Sequence, residues 1–337
     1  MSLIDKILKL KEYHNLLKHE QLVQGVMAAI DDGLLQRGDQ LPSINNMVDE
    51  LGYARKTIVK AYEELKDRGL VESKKLKGYF IISEETRVTL RIALLLFAFH
   101  RFQEEFYNTF RTELGKRFQI DVFFHHNNPE VFETIFSNIQ GKYGKYVVAP
   151  IPGERSVQLL SDLPPEKLLI VDRYIPMPES YSYISQEFEE STYARLVELL
   201  PDIRNYSKFI LIFGGSSDEP EGMLHAFNRF VSDYDIDGEV LEKYELGSIQ
   251  KGNLYFFVSD AYIWDALKDC QNKEYQVGRD IGILSHDDHL VKEIVFGGIT
   301  TISTNFKHMA KMAADHIKGE QKTQIIMPME LINRHSL

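Results

Sequence analysis

Residues 33–82 read GLLQRGDQLPSINNMVDELGYARKTIVKAYEELKDRGLVESKKLKGYFII, and this stretch decides how the chain is organised. Pro42 and Ser43 open a helix, with Ser43 as N-cap, over Ile44, Met47, Val48 and Leu51. Gly52 closes that helix. Three or four residues later another begins near Lys56 and runs through Ile58, Ala61, Tyr62 and Leu65 to Arg68-Gly69. Two short helices joined by a tight glycine-containing turn are the helix-turn-helix pattern. Upstream, Leu22, Val23, Val26 and Ile30 recur at three- and four-residue steps and predict a helix over 21–32, ended by Gly33. Downstream, 70–73 and 78–82 read as short strands with Lys74-Lys75-Leu76-Lys77 between them. Three helices and a basic hairpin predict a winged helix-turn-helix over 1–82.

The whole chain has 337 residues, 44% of them apolar and 26% charged. That length allows two or three domains with real cores, and the composition excludes wholesale disorder. Cys270 is the one cysteine, so neither an internal disulfide framework nor a cysteine metal cluster is available. The start of the chain reads as a helix rather than a secretory signal, and no run nears the roughly 18 apolar residues of a membrane span. A cytoplasmic protein without a membrane partner is expected. Residues 1–82 hold thirteen Lys/Arg against twelve Asp/Glu, a net of +1, which leaves −12 for the remainder of a chain totalling −11. Such asymmetry accompanies nucleic-acid binding by one part of a chain.

In a winged helix-turn-helix the recognition helix enters the major groove with its N-terminal residues at base edges or phosphates. Those residues here are Arg55, Lys56, Thr57 and Lys60. Ser43 and its helix start would hold a phosphate, and the wing residues Lys75 and Lys77 would add backbone contacts. The ordered set Gly38-Asp39-Gln40-Leu41-Pro42-Ser43, Leu51-Gly52, Arg55-Lys56-Thr57-Ile58, Ala61-Tyr62, Gly69-Leu70-Val71 and Gly78-Tyr79-Phe80-Ile81 resembles the GntR-type DNA-binding domain. The chain departs from that pattern at Asn45, where Arg is usual, at Val48, and at Leu76, which replaces the first wing glycine. Asn45 keeps the capacity to hydrogen-bond DNA but not the charge. The partner this resemblance implies is double-stranded operator DNA.

Residues 83–89 are polar and short, a plausible linker. Beyond them, strand-like runs at 90–97, 119–124, 146–149, 168–171, 209–213, 254–258 and 281–284 alternate with helical stretches. Apolar strands spaced by helices imply parallel sheets covered on both faces. Nearly 250 residues exceed one such unit, so 90–337 are expected to form a two-lobed α/β domain. Ligands of open parallel sheets sit beyond the strand C-termini. The residues there are Phe99, His100 and Phe102; Asp172 and Arg173; Ser259 and Asp260; Asp287; and Thr304. Aromatic rings beside Asp, Arg and Asn, the last at Asn305, suit a polyol. Ile170-Val171-Asp172-Arg173, Ser259-Asp260, the 281–288 strand end and Gly298-Ile299-Thr300-Thr301-Ile302 resemble the periplasmic-binding-protein-like effector domain of LacI-type repressors. Ser285 and His286 replace that family's Gly and aromatic residue, and no Arg stands near 218–222. A GntR-type head on a LacI-type body resembles the AraR-type sugar-responsive repressors.

Other features carry less. Adjacent Asp287-Asp288 beside His286 and His289 lack the spacing of a metal site, so no metal and no cofactor is expected. His125-His126 reads as a loop pair without a role, and the 213–217 turn lacks a nucleotide fingerprint. Cys270 reads as core, and Trp264 as core or cleft border. The expected function is a sugar-responsive transcriptional regulator, acting as a repressor on a carbohydrate-utilisation operon. It would be a homodimer with a monosaccharide bound between the lobes, and not an enzyme. The alternative is a pyridoxal-phosphate-type or other α/β enzyme fused to a DNA-binding head. That reading needs a Schiff-base lysine beside a phosphate site, and no such grouping stands out.

Overall fold

The computed structural model describes residues 2–11, 16–86, 90–98, 101–215, 219–319 and 321–337. Its head opens with α1 (Leu3–Leu10), where Ser2 and Asp5 form a reciprocal capping box. Then come α2 (Lys18–Asp31), α3 (Ile44–Leu51), α4 (Arg55–Asp67) and the antiparallel pair β1 (Val71–Lys74) and β2 (Gly78–Ile81). Ser43 caps α3 by accepting from the Asn46 N–H at 3.2 Å, and Gly52 ends it at φ 67, which glycine adopts without a Cβ clash. Ile7, Leu22, Val26, Met47, Ile58, Tyr62 and Leu65 share one core. The head thus has a fourth helix beyond the three expected. α1 can lie close to α2 because residue 25 is glycine: a Cβ there would stand 2.4 Å from Ile7 Cγ1.

Lobe 1 contains β3 (Leu90–Leu96), α5 (Arg101–Leu114), β4 (Phe118–Phe124), α6 (Pro129–Ile139), β5 (Lys145–Val148), α7 (Glu154–Leu160), β6 (Leu168–Asp172) and β7 (Ser182–Gln186). Lobe 2 contains α8 (Glu189–Glu198), α9 (Leu200–Ile203), β8 (Lys208–Ile212), α10 (Glu221–Asp233), β9 (Gly238–Leu241), β10 (Asn253–Phe257), α11 (Asp260–Asn272), β11 (Gly282–His286), α12 (Leu290–Ile294) and β12 (Thr300–Ser303). The chain then returns with α13 (Phe306–Gly319) and β13 (Gln324–Met327) to lobe 1, and ends with β14 (Glu330–Ile332) in lobe 2. It therefore crosses between lobes three times, after β7, β12 and β13.

The sheet orders are β13-β7-β6-β5-β3-β4 and β14-β12-β11-β10-β8-β9. All neighbouring pairs are parallel except β14 against β12. Each sheet is covered on both faces. Ile92, Leu94 and Leu96 face the α5–α13 side, while Ala93 and Leu95 face Phe132 and Phe136. Phe209 and Leu211 similarly oppose Ile210 and Ile212. This alternation of apolar side chains to both faces is why the strands read as continuous apolar runs. The expected α/β fold with a winged helix-turn-helix and two parallel-sheet lobes is the fold observed.

Four strands have no counterpart in the sequence reading: β7, β9, β13 and β14. β7 is Ser-Tyr-Ile-Ser-Gln, too polar to stand out, and β9 and β13 are edge strands with exposed positions. The expected linker is described as far as Thr86 and is tied to the head. Thr86 Oγ1 donates to Asp31 Oδ1 at 2.6 Å and Glu84 Oε1 accepts from the Arg37 N–H at 2.9 Å. Head and lobe 1 also touch directly through Lys167 Nζ and Asp67 Oδ1, 2.5 Å apart. No helix among the described residues is long and apolar enough to cross a membrane.

Candidate functional site

On the head, Ser43, Asn45, Arg55, Lys56, Lys60, Lys75 and Lys77 are exposed and Thr57 is half-buried. Arg55 is the first residue of α4, one position earlier than the sequence suggests. Its Nη1 donates to Asn45 Oδ1 at 2.5 Å, so the neutral Asn45 orients the arginine across the turn. α4 has no acidic residue in its first turn and no side-chain cap, which leaves its N-terminal N–H groups and dipole unopposed. Leu76 is fully exposed at the wing tip at φ 63, between Lys75 and Lys77. Arg55, Lys56 and Lys60 and the wing lysines thus form the basic surface of the head.

A cavity of about 430 Å³ lies between the lobes at the strand C-termini. Among the expected effector residues, Phe102, Asp172, Arg173, Ser259, Asp260 and Asp287 line it. Phe99 and His100 lie outside the described residues. Thr304 does not line the cavity: it sits on the crossing from β12 to α13, 3% exposed, outside the set of lining residues. Ser259 has a structural task as N-cap of α11, accepting from the Ala261 N–H at 3.3 Å.

Asp172 ends β6 and Asp287 follows β11, the fourth strands of their respective lobes. Both have left-handed backbones, φ 68 and φ 54, a conformation aspartate tolerates better than most residues. Both residues line the cleft, near enough for the Asp287 charge to act on Asp172. Burial raises the Asp172 carboxyl above the usual carboxylate range; Arg173 and the Gln186 hydrogen bond pull it down, and Asp287 pushes it further up. The Arg173 guanidinium lies 4.0 Å from Asp172 Oδ1 and over the Phe188 ring at 4.9 Å.

Asp260 is held rather than free. Lys292 Nζ is 2.5 Å from its Oδ1, and His289 Nε2 is 2.8 Å from its Oδ2. Burial pushes this carboxyl up, but the His289 hydrogen bond and the Lys292 charge more than offset it and hold it below the ordinary range. Lys292 is completely buried and also donates to the carbonyls of His286, at 2.6 Å, and Asp287, at 2.7 Å. Its three donors all have acceptors, so this ammonium pins the β11 end to the start of α11. Asp288 turns away, bidentate to Arg334 at 2.6 and 2.9 Å. No group of three or more His, Cys, Asp or Glu suited to a metal occurs among the described residues.

Several wall residues escaped the sequence reading. His125, taken above as having no role, lines the cavity: its Nε2 bonds the Ala149 carbonyl at 2.9 Å and its Nδ1 accepts from the Asn127 N–H at 3.1 Å. Burial lowers its pKa to about 4, keeping the ring neutral. Lys292 and Gln186 gave no signal, because neither directly follows a strand whose apolar run could be recognised. Trp264 is exposed on α11, its ring tilted against His289 with centroids 5.9 Å apart. Cys270 is core, as expected, and burial raises its thiol to about 11. Buried polar atoms without a hydrogen-bond partner include Asn127 Nδ2, Gln186 Oε1, Asp287 Oδ1 and His289 Nδ1, and all four residues line the cavity. Interiors rarely leave such groups unsatisfied.

Comparison with known proteins agrees with this geometry domain by domain. The family described as bacterial regulatory proteins, gntR family, matches residues 18–81. Residues 18–81 are a GntR-family domain. The HTH-type transcriptional repressor YtrA of Bacillus subtilis is 32% identical over 72 residues, 21% of this chain and 55% of that protein. The chain spans about half the length of the curated relatives it matches. Behind the GntR-type head, the body has the fold of LacI-family regulators. A LacI-family transcriptional regulator from Lactobacillus casei with bound glucose superposes with a TM-score of 0.60 at 16% identity, over 73% of this chain and 99% of that one. The trehalose repressor from Escherichia coli gives a TM-score of 0.60 at 12% identity, over 72% and 99%. At these identities the likeness concerns fold alone.

Proposed function

We propose that this protein is a ligand-responsive transcriptional repressor of a carbohydrate-utilisation operon. Its affinity for operator DNA would be set by a monosaccharide or related polyol held between the lobes. The observation that carries the reading is the set of unsatisfied polar atoms on the cavity wall, contributed by both lobes beneath a GntR-type head. A ligand rich in hydroxyls satisfies such atoms, while Phe102 and Phe97 offer apolar contact to its C–H groups. A ligand touching both lobes favours the closed form, and that differential affinity shifts the population of DNA-competent dimers. The second copy is expected on the exposed apolar surface of lobe 2, where Trp264, Leu290, Ile294 and Phe296 lie, because a palindromic operator needs two heads. Regulators of this fold with bound sugar, such as the L. casei protein, support the ligand class. The test is titration of operator binding against a sugar panel. Wild type should lose operator affinity with one sugar, while Asp172→Ala should bind operator normally and ignore every sugar. Full response in Asp172→Ala, or none in wild type, would refute the reading.

A further inference from the structure

The polar wall of the cleft is rich in acceptors, set among the guanidinium groups of Arg101 and Arg173 and the Asn127 amide. Gln186 ends β7, immediately before the first crossing between lobes, and is only 7% exposed. Its Nε2 donates to Asp172 Oδ1 at 2.5 Å. That bond fixes the amide, because a flipped Gln186 would set its oxygen against a carboxylate. Oε1 is left as a buried acceptor with no donor from the protein, on a residue that lines the cavity. Across the cleft Asp287 Oδ1 has no aligned hydrogen bond, although His286 Nε2 stands 3.3 Å away. Acceptors therefore converge from both lobes.

Beyond Arg173 and Phe188 the cleft opens into a region of about 1020 Å³ whose wall carries Glu187, Glu189, Glu219, Glu221 and Glu242. Glu189 faces His225 at 3.4 Å, and Glu187 caps α8 through the N–H groups of residues 189 to 191. The turn at Gly214 is opposed by acid: a Cβ on Gly214 would lie 3.5 Å from Glu219 Oε2. An anionic group entering here meets five carboxylates against the one guanidinium of Arg173 in the lining, and like-charge juxtaposition is costly where water is displaced.

Resting on the effector reading above, we propose that the ligand carries no negative charge, being an unphosphorylated, non-acidic sugar, and that Gln186 together with Asp172 selects it by accepting hydrogen bonds from its hydroxyls. Gln186 is then a specificity-determining residue, since an epimer that redirects one hydroxyl leaves Oε1 unsatisfied.

The experiment uses the full chain. Thermal shift and calorimetry are run with glucose, fructose, ribose, xylose and arabinose, with the phosphate ester of each, and with glucuronate and galacturonate. A parent sugar should bind, and its phosphate or acid should bind at least about tenfold more weakly. An ester or acid that binds as well as its parent overturns this inference and leaves the effector reading standing. Silence from every compound removes both. Gln186→Leu and the better volume match Gln186→Met remove a buried unsatisfied acceptor but also the hydrogen bond to Asp172, so the melting curve of each without ligand establishes that it is folded before binding is read. Each should weaken the responding sugar about five- to tenfold and change the order of preference among epimers. Unchanged affinity and unchanged order in a folded variant would end the role assigned to Gln186.

Discussion

Replacing Lys292 with Met should unpin the cleft from the inside. The wild-type ammonium is wholly buried and contacts Asp260 Oδ1 at 2.5 Å, the His286 carbonyl at 2.6 Å and the Asp287 carbonyl at 2.7 Å. Removing one partner of a buried ion pair costs about 3–5 kcal/mol, chiefly for the groups left behind. Here the cost is smaller, because Asp260 is 40% exposed and keeps His289, while two carbonyls lose a charge-assisted donor. A loss of about 2–4 kcal/mol is expected, or about 5–12 °C in melting temperature for a unit of this size. Urea unfolding with separate probes of head and body gives the assay. The body transition should move and the head transition should not, since Lys292 lies in lobe 2. Below the melting temperature the variant should retain operator binding but lose effector affinity, because the backbone presenting Asp287 has lost its anchor. A Lys292→Met protein that melts within about 1 °C of wild type and responds normally to effector would show that the buried ammonium neither stabilises the fold nor places Asp287.

Three further outcomes are expected. Arg55→Ala should weaken operator binding by about 1–3 kcal/mol with loss of preference at one base, whereas Lys75→Ala with Lys77→Ala should weaken all sequences and flatten the salt dependence; fluorescence anisotropy across a salt series reads both. His125 titrates near 4 when folded and near 6.5 when unfolded, so its contribution is full above pH 6.5 and falls as pH drops toward 4, by up to about 3 kcal/mol. Urea midpoints for wild type and His125→Gln should converge across that window, and parallel curves would contradict it. Ile294→Asp with Phe296→Asp should yield monomers in sedimentation velocity and loss of cooperative operator binding, while a dimer surviving both changes would exclude this surface.

Much of the fold was legible because its signals are local. Ser43, Gly52 and the steps of Ile58, Ala61, Tyr62 and Leu65 mark helix ends and a buried face by themselves, since capping and amphipathic period depend on neighbours within a turn or two. Strands β3, β5, β6, β8 and β10 announced themselves as apolar runs because both of their faces are covered. A rule that needs only the end of such a run points to Asp172, Asp260 and Asp287, which line the cavity. Strand β7, with Gln186 at its end, was invisible because Ser182 and Ser185 interrupt its apolar pattern. Likewise Lys292 reads as one more charged residue on a short helix.

The sequence by itself determined that a basic winged head precedes a two-lobed α/β body, and which strand ends could meet a ligand. Only the tertiary structure decided which of those side chains remain available. Asp260 is consumed by Lys292 and His289, Asp288 by Arg334, and Ser259 by its helix, while Asp172 and Asp287 line the cleft from different lobes, Asp172 with one oxygen held by Gln186. The reason is that caps and periodicity are settled within a few residues of chain. Charge pairing instead depends on partners such as Arg334, 46 residues from Asp288, which become neighbours only when the last segments of the chain cross between the lobes.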